Sequence, residues 1–346
     1  MQLVQNPENF LNDFIAEIRK ANKSILIQSM CIEPGRVMDP LEKELLNAVK
    51  RGVEVRINYD WVTHKFVNGD LALLPVLNSK KRIYSRSIHK QIREMLKRLA
   101  DGGVKIVETN PPSFILSFLP FLNRNHIKMY VIDGRIAWIG GLNLFDVAFE
   151  NIDLMVKIYN EKIIAALLNQ FEKVNKNRNR DNYNVDFGDN YSLYADIGEH
   201  GKSIIYDKAI IMIKEAQENI LFMSQFVPDG PLLGEMIKAS KRNVAITVIT
   251  SSDKDALFEH YPSKLTYLYF KSIIKKYPNI KLINLKKHMH IKLLMVDNKL
   301  AITGSHNMTF SGVLFGTEEI MLGISDRELI KQLIRFINEL MTGLYQ

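Results

Sequence analysis

Two short segments of the chain carry the same polar residues at the same spacing. In each segment a histidine is followed at offsets of two, seven, fourteen and seventeen residues by lysine, aspartate, glycine and asparagine. The two sets are His126, Lys128, Asp133, Gly140, Asn143 and His290, Lys292, Asp297, Gly304, Asn307. Chance does not readily repeat five such positions, so we interpret both segments as parts of one functional site.

These residue types suit the chemistry of a phosphate diester without a metal. The lysine ammonium and asparagine amide groups of both copies neutralise the non-bridging oxygens of the phosphate. One neutral imidazole attacks phosphorus, and the other, in its protonated form, gives a proton to the leaving oxygen. Two copies placed around a pseudo-twofold axis would supply both imidazoles.

The residues after each histidine are apolar and partly β-branched, which predicts a strand. His126 and Lys128 then share one face of that strand, as do His290 and Lys292. The aspartate stands at an odd offset and points the other way unless a turn intervenes.

We therefore expect Asp133 and Asp297 to be structural and to bond backbone near the turns that Gly134 and Asn298 begin. After a second short strand, a pair of small residues permits close approach of the backbone, and the asparagine adds an amide donor. The small pairs are Gly140 and Gly141 in the first copy and Gly304 and Ser305 in the second.

The repeat extends beyond the motif. Ala21–Pro34 aligns with Ala216–Asp229, and Lys50–Val55 aligns with Lys241–Ile246. Each half reads helix, strand, helix, strand, which predicts an α/β fold with largely parallel strands. We predict two similar mixed-sheet α/β halves over residues 1–175 and 204–346, joined by a connector over residues 176–203 that is rich in Asn, Asp and Gly.

The second helix of the first half has clear boundary signals. Asp39 and Pro40 open it, and Gly52 closes it. Leu41 and Leu45 belong to an apolar row along one face. The sequence therefore predicts a helix that begins near Asp39 and ends before Gly52.

Composition narrows the class of protein. The chain has 346 residues, with 46 Lys plus Arg against 38 Asp plus Glu, and the net charge of +8 favours anionic partners. A single cysteine, Cys31, cannot form an intramolecular disulfide, which fits a reducing compartment. The amino terminus lacks the pattern of a signal peptide. The longest nearly apolar stretch, Phe114–Leu122, is about half of what a spanning helix needs, so we expect a cytoplasmic protein.

The chain resembles the phospholipase D superfamily, whose signature is H-x-K-x-x-x-x-D followed by G-G/S-x-N, present twice. The resemblance implies a covalent phosphohistidine intermediate, no metal or other cofactor, and two similar α/β halves with the site at their interface. One chain carries both copies, so a monomer suffices for the site.

The resemblance also implies individual roles. His126 is assigned as the nucleophile and His290 as the general acid. In this superfamily an acidic residue beyond each G-x-x-N element orients the imidazole of the opposite half. The matching positions are Glu318, which we expect to hold His126, and Asp153, which we expect to hold His290. Glu318 is chosen over its neighbour Glu319 by counting fourteen residues from the motif glycine.

Within the superfamily, several segments look like the cardiolipin synthase branch of phosphatidyltransferases. They are Lys50–Arg56 with Asp60, Pro120–His126, Gly140–Asn143 leading to Asp153, and Phe226–Asp229. There are departures: Asn151, Thr309 and Gly316 replace residues usual in that branch, and Gly304–Gly312 looks more like the superfamily's nucleases.

The resemblance therefore implies a phosphodiesterase or phosphatidyltransferase that acts on phospholipids, with a nuclease that cleaves nucleic-acid diesters as the alternative. Nucleic acid is a partner only under that alternative. A catalytically inactive binding module is disfavoured because both His-x-Lys pairs remain.

Three further features have competing interpretations. The apolar stretch Phe114–Leu122 is either a loop packed under the site or a lip that contacts a membrane peripherally, on its inner face. A basic cluster either lies on a solvated helix face or contacts phosphates, and it comprises Lys80, Lys81, Arg82, Arg86, Lys90, Arg93, Lys97 and Arg98. His288, His290 and His306 together suggest a metal site, which we disfavour because the first half has no matching ligand.

Overall fold

The computed structural model describes residues 1–64, 66–67, 70–71, 79–111, 122–174, 181–188, 190–251 and 261–343, and for 66–71, 79–86 and 261–263 it describes the backbone alone. The chain divides into two compact units. The first comprises Met1, Leu3–Glu150 and Met155–Arg180, and the second comprises Gln2, Asn151–Leu154 and Asp181–Gln346. A short piece of the first half, Asn151–Leu154, therefore belongs with the second unit.

The first half of the chain forms a mixed sheet. Its strands are β1 (Gln2–Val4), β2 (Ser24–Ser29), β3 (Glu54–Asp60), β4 (Phe66–Val67), β5 (Asp70–Leu71), β6 (Lys105–Thr109), β7 (Met129–Ile132), β8 (Ile136–Gly140) and β9 (Met155–Ile158). Its helices are α1 (Pro7–Lys20), α2 (Met38–Lys50), α3 (Ser79–Asp101), α4 (Asp146–Glu150) and α5 (Glu161–Lys173), with a 3-10 turn over Trp61–His64. The sheet has the order β1-β9-β8-β7-β2-β3-β6, and β4 pairs separately with β5.

The second half repeats this plan. Its strands are β10 (Tyr183–Asp186), β11 (Tyr191–Ile197), β12 (Asn219–Met223), β13 (Ala245–Ser251), β14 (Ile280–Leu285), β15 (Leu293–Val296), β16 (Leu300–Gly304) and β17 (Glu318–Ile324). Its helices are α6 (Ile204–Glu215), α7 (Gly230–Lys241), α8 (Tyr261–Ile274), α9 (Phe310–Phe315) and α10 (Arg327–Met341). The sheet has the order β10-β11-β17-β16-β15-β12-β13-β14.

The strand orders confirm the predicted α/β class with two similar mixed sheets. The run β9-β8-β7-β2-β3-β6 has the same connectivity as β17-β16-β15-β12-β13-β14. The expectation of largely parallel strands is wrong for the motif-bearing side of each sheet. There β7, β8 and β9 pair antiparallel, as do β15, β16 and β17. Short turns join β7 to β8 and β15 to β16, whereas a parallel neighbour needs a long crossover.

Residues 176–203, read from the sequence as a connector, contain two strands. β10 pairs with β11, and β11 pairs with β17, so both extend the second sheet. Side chains of β10 alternate between half-buried and exposed. This strand at the edge of the sheet contributes little to the core, which explains why its hydrophobic periodicity is weak.

Helix α2 confirms the prediction made from its boundary signals. It begins at Met38, one residue before Asp39, and ends at Lys50. Leu41 and Leu45 are fully buried. Gly52 has φ +87°, the left-handed conformation that lets the chain leave the helix and enter β3.

An aromatic core supports β7 in the first unit. The rings of Phe14 and Trp138 are 5.5 Å apart in an edge-to-face arrangement, and those of Phe10 and Tyr130 are 4.9 Å apart. All four side chains are fully buried. Tyr130 also donates its hydroxyl proton to the carbonyl of Leu142 at 2.7 Å, which ties β7 to the motif's glycine-asparagine segment.

None of the helices that the structure describes combines the length and apolarity that a bilayer-spanning helix requires.

Candidate active site

The prediction that the His-x-Lys residues lie within a strand is wrong, because both segments lie immediately before one. β7 begins at Met129 and β15 at Leu293. Each lysine folds back on its own histidine: Lys128 Nζ donates to the carbonyl of His126 at 2.6 Å, and Lys292 Nζ donates to that of His290 at 2.6 Å. Both lysine side chains are buried, so each copy holds an ammonium group next to its histidine backbone.

The two motif aspartates bond to backbone. The Asp133 carboxylate accepts N–H groups of Asn22–Ser24 at 2.8 to 3.2 Å, and the Asp297 carboxylate accepts those of Gln217–Asn219 at 2.7 to 3.2 Å. These amides belong to the start of the neighbouring strand, not to the turn that follows each aspartate. Burial opposes ionisation of Asp297, but the three backbone donors and a nearby lysine hold the pKa of its carboxyl below the ordinary value. Each aspartate therefore ties the end of its motif strand to the adjacent strand.

A carboxylate holds His290 in the second unit. His290 Nδ1 lies 2.9 Å from Oδ2 of Asp153, which is 2% exposed. Two backbone hydrogen bonds hold the segment that carries Asp153 next to the segment that carries His290. Ile152 N–H donates to the carbonyl of His288, and His290 N–H donates to the carbonyl of Ile152, both at 2.8 Å. The contact expected between Asp153 and His290 is therefore present. A carboxylate at this position favours the tautomer of the imidazole that carries its proton on Nδ1.

The structure distinguishes the two neighbouring glutamates of β17. Glu318 is half-buried at the start of the strand, whereas Glu319 is buried and accepts the hydroxyl of Ser305 at 2.5 Å. Gly140 pairs with Met155 on the next strand, and Gly304 pairs with Met321. Two residues before those partners stand Asp153 and Glu319.

The strand register thus makes Glu319 the positional counterpart of Asp153, whereas counting along the sequence selected Glu318. The pairing of Glu318 with His126 stays a prediction.

The glycine-asparagine elements are closely packed. A Cβ at Gly304 would lie 2.2 Å from the carbonyl oxygen of Ile320, so only glycine fits there. In the first copy Gly140 ends β8, Gly141 follows it, and Asn143 Oδ1 accepts the N–H of Cys31 at 3.3 Å. This acceptor bond aims the amide NH₂ of Asn143 away from Cys31.

In the second copy the side-chain oxygen of Asn307 is buried and has no hydrogen-bond partner among the described residues.

Sequence reasoning missed a buried amide cluster, which we define as Gln28, Asn58 and Asn125, beside the His126 segment. Gln28 Nε2 donates to Asn125 Oδ1 at 2.9 Å, and that oxygen also accepts the N–H of Ile127 at 3.2 Å. Within the described part of the chain, Gln28 Oε1, Asn58 Oδ1 and Asn125 Nδ2 have no partner. Gln28 therefore positions the side chain of Asn125, which in turn holds the backbone just after His126.

The second copy has no such cluster. Met223, Ile249 and Met289 occupy the positions that match Gln28, Asn58 and Asn125 in the repeat, and all three are fully buried. The fold itself therefore does not require amides there. A position-by-position comparison of the two copies would have revealed this asymmetry from the sequence.

A buried ion pair precedes the first histidine. Arg124 Nη1 donates to Oδ1 of Asp60 at 2.8 Å, and the other carboxylate oxygen accepts the N–H of Asn125 at 2.6 Å. The guanidinium also stacks on Trp61, 5.6 Å from the ring centroid. Burial raises the pKa of Asp60 to about 7, although Arg124 and two backbone donors oppose that shift. This pair anchors the chain next to His126.

Replacing Arg124 by methionine should destabilise the protein in a pH-dependent way. The buried Asp60 carboxylate would lose its cation, and we expect the free energy of unfolding to fall by about 3 kcal/mol near pH 8. Near pH 5 the loss should be smaller, because a carboxyl whose folded pKa is about 7 takes up a proton and the buried charge disappears. Urea unfolding at the two pH values measures both losses.

The matched control is Arg98→Met. Arg98 pairs with Glu42 at 2.7 Å, but its side chain is 55% exposed. We expect that change to cost less than about 1 kcal/mol at either pH. Equal losses for Arg124→Met at both pH values would contradict the role given to Asp60.

The other sequence features lie partly outside the described residues. The stretch Phe114–Leu122 is outside them except for Leu122, and so are the side chains of Lys80, Lys81, Arg82 and Arg86. On the described part of α3, Lys97 pairs with Asp101 at 2.6 Å. Some of the basic cluster is therefore already neutralised by carboxylates.

The histidines His288, His290 and His306 of the second copy suggest a metal site by their sequence positions. No group of three His, Cys, Asp or Glu side chains with metal-binding geometry occurs among the described residues. His306 is fully buried, and its Nδ1 accepts the N–H of Met308 at 2.7 Å. Burial lowers the pKa of His306, so the ring is neutral.

Comparison with known protein families shows to which family the chain belongs. Residues 14–175 and 209–341 match the family model described as cardiolipin synthase, PLD-like domain. The chain belongs to this family. The match covers both copies of the motif and confirms the resemblance to the phospholipase D superfamily.

Relatives within the cardiolipin synthase PLD-like family are distant. The chain is 24% identical over 348 residues to cardiolipin synthase A of Buchnera aphidicola subsp. Schizaphis graminum, covering 94% of this chain and 66% of that protein. It is 22% identical over 367 residues to the minor cardiolipin synthase ClsB of Bacillus subtilis, covering 98% of this chain and 80% of that protein. The chain thus spans about two thirds of the length of several curated relatives, with 64% for a probable cardiolipin synthase of B. subtilis.

Solved structures agree on the fold. The phosphatidylserine synthase of Haemophilus influenzae superposes with a TM-score of 0.74 at 12% identity, covering 98% of this chain and 85% of that one. The polyphosphate kinase of Porphyromonas gingivalis superposes with a TM-score of 0.63 at 12% identity, covering 99% of this chain and 47% of that one. At this identity the likeness concerns the fold alone.

Proposed function

We propose that this member of the cardiolipin synthase PLD-like family is a metal-independent phosphatidyltransferase or phosphodiesterase that acts on phospholipids through a covalent phosphohistidine. One observation carries the proposal: a histidine next to a buried, folded-back lysine occurs twice, and a buried Asp153 holds one of these histidines. A buried ammonium group attracts an anion strongly, because little water is present to screen its charge. A phosphate diester is such an anion.

In the proposed first step, Nε2 of a neutral His126 attacks phosphorus and forms a P–N bond. The bond from phosphorus to the leaving oxygen breaks, and His290 gives that oxygen its proton. The Asp153 carboxylate stabilises the imidazolium form of His290 before transfer. In the second step the now neutral His290 takes the proton of an incoming hydroxyl group, whose oxygen attacks phosphorus and releases His126.

The remaining polar groups stabilise charge. The ammonium groups of Lys128 and Lys292 and the amides of Asn143 and Asn307 face the non-bridging oxygens in this proposal. The negative charge on these oxygens grows as the nucleophile approaches, so such donors act mainly in the transition state.

The substrate class follows from the family and the charge. The curated relatives are cardiolipin synthases, and the net charge of +8 favours an anionic lipid such as phosphatidylglycerol. If the hydroxyl group that resolves the intermediate belongs to a second lipid, the product is a transferred phosphatidyl group. If it belongs to water, the product is phosphatidic acid.

The test is incubation of the protein with phosphatidylglycerol, phosphatidylcholine and single-stranded DNA in EDTA, followed by analysis of the products. We expect cardiolipin or phosphatidic acid from phosphatidylglycerol, and none from a His126→Asn, His290→Asn double variant. Shortened DNA without lipid products would instead support the nuclease alternative. Loss of activity in EDTA would contradict a metal-independent mechanism.

The association of the protein with a membrane and its oligomeric state are also proposals. We propose that the protein meets its lipid as a peripheral protein at the cytoplasmic face of a membrane, and that a single chain suffices for the site. Contact through Phe114–Leu122 stays a prediction, because this stretch lies outside the described residues except for Leu122.

A further inference from the structure

Helix α8 is apolar on the side that faces away from the protein. Phe270 is fully buried, yet Leu265, Leu268 and Tyr269 are 53%, 50% and 62% exposed. At three and four residues apart, these three side chains lie on one face of the helix, opposite Phe270. We call them the apolar ridge. A surface helix usually presents polar residues there.

The helix at the same place in the first half shows no such ridge over the residues whose side chains the structure describes, 87–101. Helix α3 precedes β6 just as α8 precedes β14. On the described part of α3, the exposed positions include Lys90, Arg93 and Lys97, whereas its large apolar residues are buried or half-buried. The fold therefore does not require an apolar outer face at this position.

The ridge lies close to the motif edge of the second sheet. β15 is antiparallel to β12, and Leu293 pairs with Met223, so the residues just before Leu293, including His290, lie where β12 ends. β14 runs parallel to β13 and β12, so its last residues lie at the same edge. The Tyr267 hydroxyl of α8 donates to Asn284 Oδ1 at 3.2 Å, next to the end of β14. Leu268 and Tyr269 follow Tyr267 directly, so they lie near this edge.

Exposed lysines lie on the same helix and at the motif edge. Lys286 and Lys287 are exposed between β14 and His288, at the motif edge, and Lys271, Lys275 and Lys276 are exposed on and just after α8. None of these five has a carboxylate partner within the described part of the chain. An apolar strip flanked by cations is complementary to an anionic bilayer surface, where apolar side chains enter the acyl boundary and ammonium groups stay with the headgroups.

We propose that the apolar ridge of α8 docks the second unit on a membrane that contains anionic lipid. Leu265, Leu268 and Tyr269 enter the interface, and the neighbouring lysines bind headgroup phosphates. This surface consists of residues other than the predicted Phe114–Leu122 lip, and in this proposal it brings the edge that bears His290 to the bilayer.

The experiment compares two triple variants by co-sedimentation with vesicles of phosphatidylglycerol and phosphatidylcholine. The ridge variant is Leu265→Gln, Leu268→Gln, Tyr269→Gln. The matched control is Ile211→Gln, Leu300→Gln, Met341→Gln, which removes three other exposed apolar side chains of the second unit. We expect at least a tenfold loss of partitioning for the ridge variant and less than a twofold change for the control. Binding of the wild type should fall with salt and on pure phosphatidylcholine.

A soluble diester separates docking from catalysis. The ridge lies outside the proposed catalytic groups, so hydrolysis of bis(p-nitrophenyl) phosphate should change less than twofold in either variant. If no diester is cleaved by any form, the proposed function fails while the vesicle result still decides the docking proposal. Unchanged vesicle binding by the ridge variant would overturn the docking proposal.

A second readout reports insertion directly. Cys31 is buried and burial raises its pKa to about 12, so a Leu268→Cys variant can be labelled selectively with an environment-sensitive fluorophore. We expect a blue shift of its emission on anionic vesicles and none with a Lys97→Cys label on α3. Concentration-dependent dimers that dissociate in the ridge variant, with no blue shift on vesicles, would overturn the lipid assignment in favour of a second copy of the chain.

Discussion

Replacing His126 by asparagine should abolish the phosphorylated intermediate and lower turnover of phosphatidylglycerol by about 10,000-fold or more. The amide has no lone pair of comparable basicity to form a P–N bond, and no other group takes that role in the proposed mechanism. Acid quenching of the reaction with phosphorus-labelled lipid, followed by gel electrophoresis, measures the intermediate.

The companion variant His290→Asn tests which histidine is the nucleophile and which is the general acid. A general acid is needed only when the leaving group is poor, so this variant should still become labelled by a p-nitrophenyl phosphodiester while it fails with phosphatidylglycerol. The matched control is His200→Asn, since His200 contacts the carbonyl of Leu314 and has no role in the proposal. Undiminished labelling in His126→Asn would contradict the assignment of His126 as the nucleophile. Labelling that is lost only in His290→Asn would mean that His290 is the nucleophile and His126 the general acid.

Replacing Asp153 by asparagine should lower kcat for phosphatidylglycerol by about 100- to 10,000-fold with a smaller effect on KM. The buried carboxylate lies 2.9 Å from His290 Nδ1, and in the proposed mechanism it stabilises the imidazolium that the first step requires. An amide supplies neither the charge nor a fixed tautomer. The pH profile of kcat is the decisive measurement.

Without the carboxylate, His290 should lose its proton more easily, so the alkaline limb of the profile should move to lower pH. A merely structural loss would lower kcat at every pH without moving that limb. Asp13→Asn serves as the control, because Asp13 bonds to Lys157 at 2.7 Å and has no role in the proposal. An unchanged limb in Asp153→Asn would contradict the positioning role.

Short-range patterns predicted much of the fold. Helix α2 follows from its boundary residues and apolar row, because the capping and periodicity of a helix are local properties. The two sheets follow from the repeat, since a duplicated sequence duplicates its element order. The edge strand β10 was not predicted, because none of its side chains is buried and its sequence therefore carries little core-facing signal. The strand β11, which lies between β10 and β17, was also missed, although Leu193 and Ala195 are buried in it.

Some features of the candidate site were likewise predicted from the sequence, and others were found only in the structure. Spacing alone identified both His-x-Lys pairs and the aspartates that follow them. It did not show that Lys128 folds back on His126 ahead of β7, because a strand-like composition does not specify where pairing begins. It also did not find Gln28, whose side chain meets Asn125 only in the folded structure, or Asn58, which lies beside Gln28 once β2 and β3 pair in register.

The sequence by itself determined which residue types recur, at which spacing, and therefore the family and the chemistry that those residues can support. The tertiary structure decided which distant residues meet. His290 and Asp153 are 137 residues apart, and their contact exists because Asn151–Leu154 leaves the first unit and bonds beside His288. Glu319 becomes the counterpart of Asp153 through strand register, not through a count of residues. Spacing is a property of the chain, whereas contact depends on backbone hydrogen bonds between strands that no local pattern encodes.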